Sequence, residues 1–357
     1  MTSRRVWPAR LGVRFGALAM VAAAGCATLA DGAPGLDNPP SARAGPFRLL
    51  GPGELGQGRA APFAMDVQKT SLRDPCILDI DGDPSTLEVE GYFAASDEDA
   101  GADANPTSIV RVGALDGRSF DRMPVTMLTA TEAWEGGTVG APSVIADGAR
   151  RRLYYSAAGG IGLAESEDGQ SFTSRDAPVI ASVPWADGPP RSPSVVTLPN
   201  GSYRLFFEAT QGGAAAIGEA KSTDGIAWDV LEEPALTHGP SGSLDASGVA
   251  SPAATVATSA EGRKILYVYY SGKGDDGKRS ITLAARFLAE PDAPLEKGNK
   301  SVYSPSGALE PREPSVIRFE DFTFLFTAQK RTKSSSDVVV TVGVSPGTIE
   351  LPAPDPP

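Results

Sequence analysis

The residues best placed to do chemistry in this chain are carboxylates set beside prolines. Asp74 precedes Pro75 in Leu72-Arg73-Asp74-Pro75-Cys76-Ile77-Leu78, and Glu313 precedes Pro314 in Arg312-Glu313-Pro314-Ser315-Val316-Ile317. More acids stand just upstream of related prolines: Asp66 nine residues before Pro75, Glu135 seven before Pro142, and Asp187 six before Pro193. Asp245 stands seven before Pro252 and Glu310 four before Pro314. Carboxylates gathered at one place repel each other, which lifts some of their pKa values. Under that condition one carboxyl keeps its proton as an acid while another serves as base. The plainer role is also open. Acids before a strand accept hydrogen bonds from loop N–H groups, and Arg73-Asp74 and Arg312-Glu313 are ready to pair between units.

What brings these residues together is a repeat. The Asp74 motif returns as Gly140-Ala141-Pro142-Ser143-Val144-Ile145, Arg191-Ser192-Pro193-Ser194-Val195-Val196, Ala250-Ser251-Pro252-Ala253-Ala254 and the Glu313 segment. The prolines are 67, 51, 59 and 62 residues apart. Five units of that size indicate a ring of similar supersecondary structures. Each motif is followed by an aromatic and β-branched run, such as Leu153-Tyr154-Tyr155, Leu205-Phe206-Phe207 or Leu266-Tyr267-Val268-Tyr269-Tyr270, as in buried strands. Asp168-Gly169 and Asp224-Gly225 then mark hairpins, because the turn needs positive φ. The fourth unit has Pro291-Asp292 instead. The expected fold is all-β: a five-bladed β-propeller of four-stranded antiparallel blades over residues 46–351, with a tail at 352–357. The motif strands line the channel, so the acids converge on one mouth. Ring closure falls to Phe47-Arg48-Leu49-Leu50, ahead of the competing Thr348-Ile349-Glu350-Leu351.

The Arg73-Asp74-Pro75 motif, the repeated Pro-Ser-Val strands and the Ala-x-Ser-x-Asp-Gly hairpins resemble the five-bladed superfamily of glycoside hydrolase families 43, 32, 62 and 68. The resemblance implies a glycosidase in which Asp74 is the general base, with the acid drawn from Glu135, Asp187 or Glu208. It departs from the family where Ser143 follows Pro142 in place of an Asp beside the proline, and where Arg191-Ser192-Pro193 carries no Glu. Two other readings therefore stand beside hydrolysis: a carbohydrate-binding lipoprotein that has lost the acid, and a surface assembly module. Trp134 and Trp185, each near a loop acid, are expected to stack on sugar faces. Arg73, Asp245, Arg312 and Glu313 complete the expected binding set.

The N-terminus reads as a targeting segment. Arg4, Arg5, Arg10 and Arg14 precede a short apolar run that ends in Ala23-Ala24-Gly25-Cys26. The run is too short to span a bilayer, which takes roughly 20 residues. The sequence around Cys26 resembles a lipobox, so 1–25 is expected to be a signal peptide and Cys26 the lipidated first mature residue. Residues 26–45, rich in Ala, Gly and Pro, read as a flexible tether. The expected location is the cell envelope, and the outer membrane if the host is Gram-negative.

Composition narrows the partners. The 357 residues carry 44 acidic against 32 basic side chains, a net charge of −12, which excludes nucleic acid because phosphate binding needs clustered Lys and Arg. With one histidine, His238 in a Gly/Pro loop, a histidine metal site is not expected. No cofactor is expected; a structural cation in the channel is compatible with the acids. Asp275-Asp276 read as a polar turn. Once Cys26 is set aside, Cys76 is the only cysteine left, so no disulfide is expected, and Cys76 reads as a small core residue.

Overall fold

The computed structural model describes residues 44–50, 70–81, 88–97, 105–114, 120, 124–259, 262–305, 310–319, 322–330 and 338–345. The signal segment with Cys26, the loop acid Asp66, the alternative closing strand 348–351 and the tail 352–357 lie outside the described residues.

The chain begins with β1 (Arg48–Leu49) and then forms consecutive antiparallel sheets. The first blade is β2 (Thr70–Asp79), β3 (Val89–Asp97), β4 (Ser108–Ala114) and β5 (Val125–Thr129). The second is β6 (Gly140–Asp147), β7 (Arg150–Ala157), β8 (Gly160–Ser166) and β9 (Thr173–Ser174). The third is β10 (Arg191–Thr197), β11 (Tyr203–Gln211), β12 (Ala214–Ser222) and β13 (Asp229–Val230). The fourth is β14 (Gly248–Thr258), β15 (Lys264–Lys273), β16 (Arg279–Phe287) and β17 (Glu296–Lys297). The fifth is β18 (Pro311–Arg318), β19 (Thr323–Lys330) and β20 (Val338–Ser345), completed by β1, which pairs Arg48 with Val344. The N-terminal strand thus closes the ring and covers the edge that the last blade would otherwise expose. Just before β1, Ala44 is already packed away. It is fully buried and its carbonyl accepts from the Tyr269 hydroxyl at 3.0 Å, although the sequence reading assigns it to the tether.

The core is five interfaces. Side chains alternate across a strand, so neighbouring aromatics on a second strand serve opposite sides. Tyr154 packs toward the third blade with Leu205 and Phe207, and Tyr155 toward the first with Tyr92 and Ile109. The same division recurs in the other blades, giving one apolar cluster per blade boundary. Burying each of these rings contributes roughly 1.5–3 kcal/mol. The hairpins behave as their sequence demands. Asp224 Oδ1 accepts from Ile226 N–H and Ala227 N–H at 2.8 and 2.9 Å while Gly225 takes φ 73°, and Asp168 repeats the arrangement around Gly169.

Each inner strand carries the same defect. The register slips between the residues flanking the Xaa-Pro pair in β2, β6, β10, β14 and β18. The residue before each proline stands at positive φ: Asp74 52°, Ala141 44°, Ser192 50°, Ser251 50° and Glu313 52°. A bulge explains why proline is tolerated in a central strand. A left-handed non-glycine residue costs on the order of 1–3 kcal/mol, so five copies must be offset. The offset is a double belt of hydrogen bonds around the channel. In one belt the residue after each proline accepts from the next blade: Ser315 from Ile77 N–H, Cys76 Sγ from Val144 N–H, Ser143 from Val195 N–H and Ser194 from Ala254 N–H, at 2.8–3.2 Å. Ala253 has no acceptor to offer, and this belt is open there. Burial pushes the Cys76 thiol up to about 11, in keeping with a structural thiol rather than a nucleophile.

Candidate functional site at the channel mouth

The second belt uses the positive-φ residues themselves. Glu313 Oε2 accepts from Asp74 N–H at 2.9 Å, and Asp74 Oδ2 accepts from Ala141 N–H at 3.1 Å. Ala141 has no acceptor, so Ser156 Oγ takes the Ser192 N–H at 2.7 Å. Glu208 Oε2 takes the Ser251 N–H at 3.1 Å. Asp74, Ala141, Ser192, Ser251 and Glu313, with their prolines, line one narrow opening of about 40 Å³. The strain at Asp74 is therefore not a mark of catalysis by itself, since Ala141 shares it and has no reactive group.

Two of the five positions bring carboxyls together, Asp74 and Glu313 on adjoining blades. Burial first, then the Asp74 charge and a hydrogen bond with it, hold the Glu313 carboxyl well above the usual carboxylate range. Arg73 opposes that shift only in part. With the Asp74 charge beside it, the buried Glu313 gives up its proton late.

Around them lies a collar of cations. Arg191 donates from Nε to Glu208 Oε1 at 3.1 Å and pairs with it through Nη2. Arg312 pairs with Glu310 at 3.1 Å. Arg279, at the start of β16, is the residue that the sequence reading missed. Burial and the charge of Arg312 lower its pKa, against the pull of Glu310, Glu208 and Glu313. Arg279 and Glu310 also border a cavity of about 460 Å³ over the fourth blade, formed by Gly242–Leu244, the turn Gly274–Lys278 and Ser304–Pro305. That volume lies within the range of small-ligand pockets, roughly 300–1,000 Å³.

The loop acids do not all join this mouth. Glu135, expected as a candidate acid, is fully buried in a short turn at Ala133–Glu135. Its Oε2 accepts from Thr131 N–H and Glu132 N–H at 2.6 and 2.8 Å, and its Oε1 from the Tyr155 hydroxyl. Asp245 is fastened the same way, by the Tyr270 hydroxyl and Ser243 Oγ at 3.0 and 2.9 Å and by Lys297. Burial disfavours the Asp245 charge, but Lys297, Ser243 and Tyr270 outweigh it and hold the carboxyl below its ordinary value. Both acids anchor the loops that enter their blades. Asp187 is exposed and accepts from Gly213 N–H at 3.2 Å. Trp134 and Trp185 roof the second and third blades, stacked on Tyr155 and Phe207 at 6.0 and 6.1 Å. Gly162 and Gly218 make room for these stacks. A Cβ on Gly162 would lie 2.4 Å from Tyr155 Cζ, and one on Gly218 2.2 Å from Phe207 Cζ. One face of each indole is therefore taken by the protein. His238 is exposed, and among the described residues no group of three or more His, Cys, Asp or Glu is placed to hold a metal.

No protein-family model matches the sequence, and no curated protein matches it. Solved structures do match in fold. One is a complex of BT0996 with RGII, with TM-score 0.58 and 13% identity over 84% of this protein and 93% of that one. A glycosyl hydrolase from Bacteroides ovatus matches with TM-score 0.57 and 15% identity over 76% and 84% of the two proteins. A thermostable family-43 glycoside hydrolase matches with TM-score 0.54 and 17% identity over 83% and 98%. At these identities the likeness is one of fold, shared with the five four-stranded blades of this protein.

Proposed function

We propose that the protein is a glycan-binding propeller displayed at the cell envelope, and that its channel mouth holds the glycan without cleaving it. The observation that carries the second half is the contact between Asp74 and Glu313. Hydrolysis places its two carboxyls about 5–5.5 Å apart for retention, or 6.5–9.5 Å apart for inversion, with the sugar between them. Glu313 Oε2 is instead bonded to the Asp74 backbone N–H at 2.9 Å, and the Asp74 charge acts directly on it, which argues against a sugar lying between the two acids. Beside the prolines where the resemblance would place the other catalytic acids stand Ala141 and Ser143, and Ser192, and both oxygens of Glu208 are already engaged by Arg191 and Ser251 N–H. Interleaved carboxyls and guanidiniums beside a 460 Å³ cavity suit the dense hydroxyls of a sugar. Hydrolysis is the second reading, favoured by one fact: Glu313 is a carboxyl that keeps its proton toward neutral pH beside the candidate base Asp74.

A panel of oligosaccharides titrated calorimetrically into the full chain tests both. Saturable binding of at least one oligosaccharide, weakened about tenfold or more by Asp74→Asn, with no reducing ends released, is the expected outcome. That factor corresponds to about 1.4 kcal/mol. Release of reducing sugar that Asp74→Asn abolishes would replace this reading with hydrolysis. Binding to none of the panel would sink the glycan reading. The lipid anchor rests on Ala23-Ala24-Gly25-Cys26. The Cys26→Ala chain is expected to leave the detergent-soluble membrane fraction or to stay unprocessed. A processed Cys26→Ala chain that still partitions with membranes would refute the anchor.

A further inference from the structure

The face opposite the mouth carries a large cleft, about 1,040 Å³, between the third and fourth blades. The turn Leu198–Ser202 that follows β10, the hairpin at Ser222–Thr223 and the segment Leu288–Pro291 after β16 form its walls. These connections leave the ends of the strands remote from Asp74, so the cleft and the mouth are separate. Trp228 lines it, seated edge-on against Tyr154 at 5.8 Å, with Leu198, Ala227 and Leu288 supplying further apolar surface.

Its charge is unlike that of the chain as a whole. Arg204 reaches the cleft from a buried cluster beneath it, in which a carboxylate, Glu219, is clasped by two arginines: Arg204 Nε at 3.1 Å and Arg286 Nη1 at 2.9 Å. Glu219 is 1% exposed and both arginines are buried; the two guanidiniums share Glu219 as their contact anion and feel Asp292 at longer range. Burial lowers the Arg204 pKa, and Arg286 adds to it, while Glu219 and Asp292 pull the other way. Lys221 on the wall pairs with Asp292, whereas Lys264 is exposed and forms no ion pair among the described residues; its Nζ donates to Thr258 Oγ1 at 2.7 Å. The wall acid Asp229 offsets part of this. A locally positive cleft on a chain of net charge −12 is selective. Long polyanions such as nucleic acid are repelled by the rest of the surface, while a short anion can be held.

We infer that this cleft is a second binding site, for a short acidic saccharide whose ring faces lie on Trp228 and whose carboxylates meet Lys264 and the Arg204 end of the floor. The choice of a saccharide rests on the glycan reading above; the choice of an acidic ligand rests on the cleft alone. Aromatic and aliphatic surface suits the C–H faces of sugar rings, and a volume of about 1,040 Å³ has room for several rings rather than one.

The test titrates tetragalacturonate, and the same tetramer with its carboxylates methyl-esterified, into the full chain and into the Lys264→Glu and Lys264→Met variants. Lys264 is exposed, so both variants should fold, with an unchanged Tm as the control. The expected result is saturable binding of the acid, at least tenfold weaker for the ester, weakened about threefold by Lys264→Met and tenfold or more by Lys264→Glu, and falling with added salt. Equal binding of acid and ester, no saturable binding of the acid, or indifference to Lys264→Glu would each overturn the inference. The two sites fail separately. If Asp74→Asn weakens the panel ligand while the acid tetramer ignores Lys264, only the cleft is wrong. If the tetramer obeys Lys264 while the panel finds no ligand sensitive to Asp74, only the mouth is.

Discussion

Glu219→Gln is expected to destabilise the protein by about 3–5 kcal/mol, the range for breaking a buried ion cluster by removing one partner. Arg204 and Arg286 come from different blades and both converge on Glu219. With glutamine between them, two buried guanidiniums face each other without their contact anion, and Asp292 acts on them only at longer range. The loss should appear as a lower midpoint in urea with an unchanged slope, since the surface exposed on unfolding is the same. A second variant separates the need for an ion pair from the need for a filled space. Replacing all three at once, Arg204→Met, Glu219→Leu and Arg286→Met, should leave stability within about 1–2 kcal/mol of the parent, because desolvating the ions costs nearly what their attraction returns. A Glu219→Gln variant as stable as the parent would show that the cluster is well hydrated.

Glu219 also shows what the sequence withheld. Aligning the repeats on Gly162 and Gly218 puts Glu219 where the second unit has Leu163, a core position. A charge at an apolar position of a repeat signals a buried cluster, but its partners lie in another strand and another blade, and only the fold brings Arg286 to it. The blades and the hairpins were legible because they follow from local chemistry that recurs from unit to unit; the closing strand was not, because Phe47-Arg48-Leu49-Leu50 and Thr348-Ile349-Glu350-Leu351 both have the pattern of an outer strand. The loop acids were not, because spacing upstream of a proline does not reveal what lies beneath the loop. A signal was present in the repeats nonetheless. The second strands of units two and four carry Tyr155 and Tyr270, and there the acids Glu135 and Asp245 are buried against the hydroxyls. Unit three has Phe207 at that place, with no hydroxyl, and its acid Asp187 is exposed. The phenol marks which acids are anchors.

The Asp74–Glu313 contact makes a prediction about pH. Burial and the neighbouring Asp74 raise the Glu313 pKa above its ordinary 4.5, so the folded chain holds this proton more tightly than the unfolded chain does. Below about 4.5 both states carry the proton and the pair contributes its full stability. As pH rises toward the folded value, the unfolded chain sheds the proton first, and stability falls until the folded state has lost it as well. Glu313→Gln keeps an amide oxygen for the Asp74 N–H and a donor for the Asp74 carboxyl, much as the protonated acid does, but it cannot ionise. The variant should therefore match the parent near pH 4 and exceed it by on the order of 2 kcal/mol in mildly alkaline buffer. Repulsion among the other carboxylates acts on both proteins alike, so the difference between the two pH curves isolates Glu313. Parallel curves from about pH 4 to about pH 9 would mean that Asp74 does not make Glu313 give up its proton late. The spacing argument against hydrolysis would then lose its support, and Asp74 with a separated Glu313 would return as an acid–base pair.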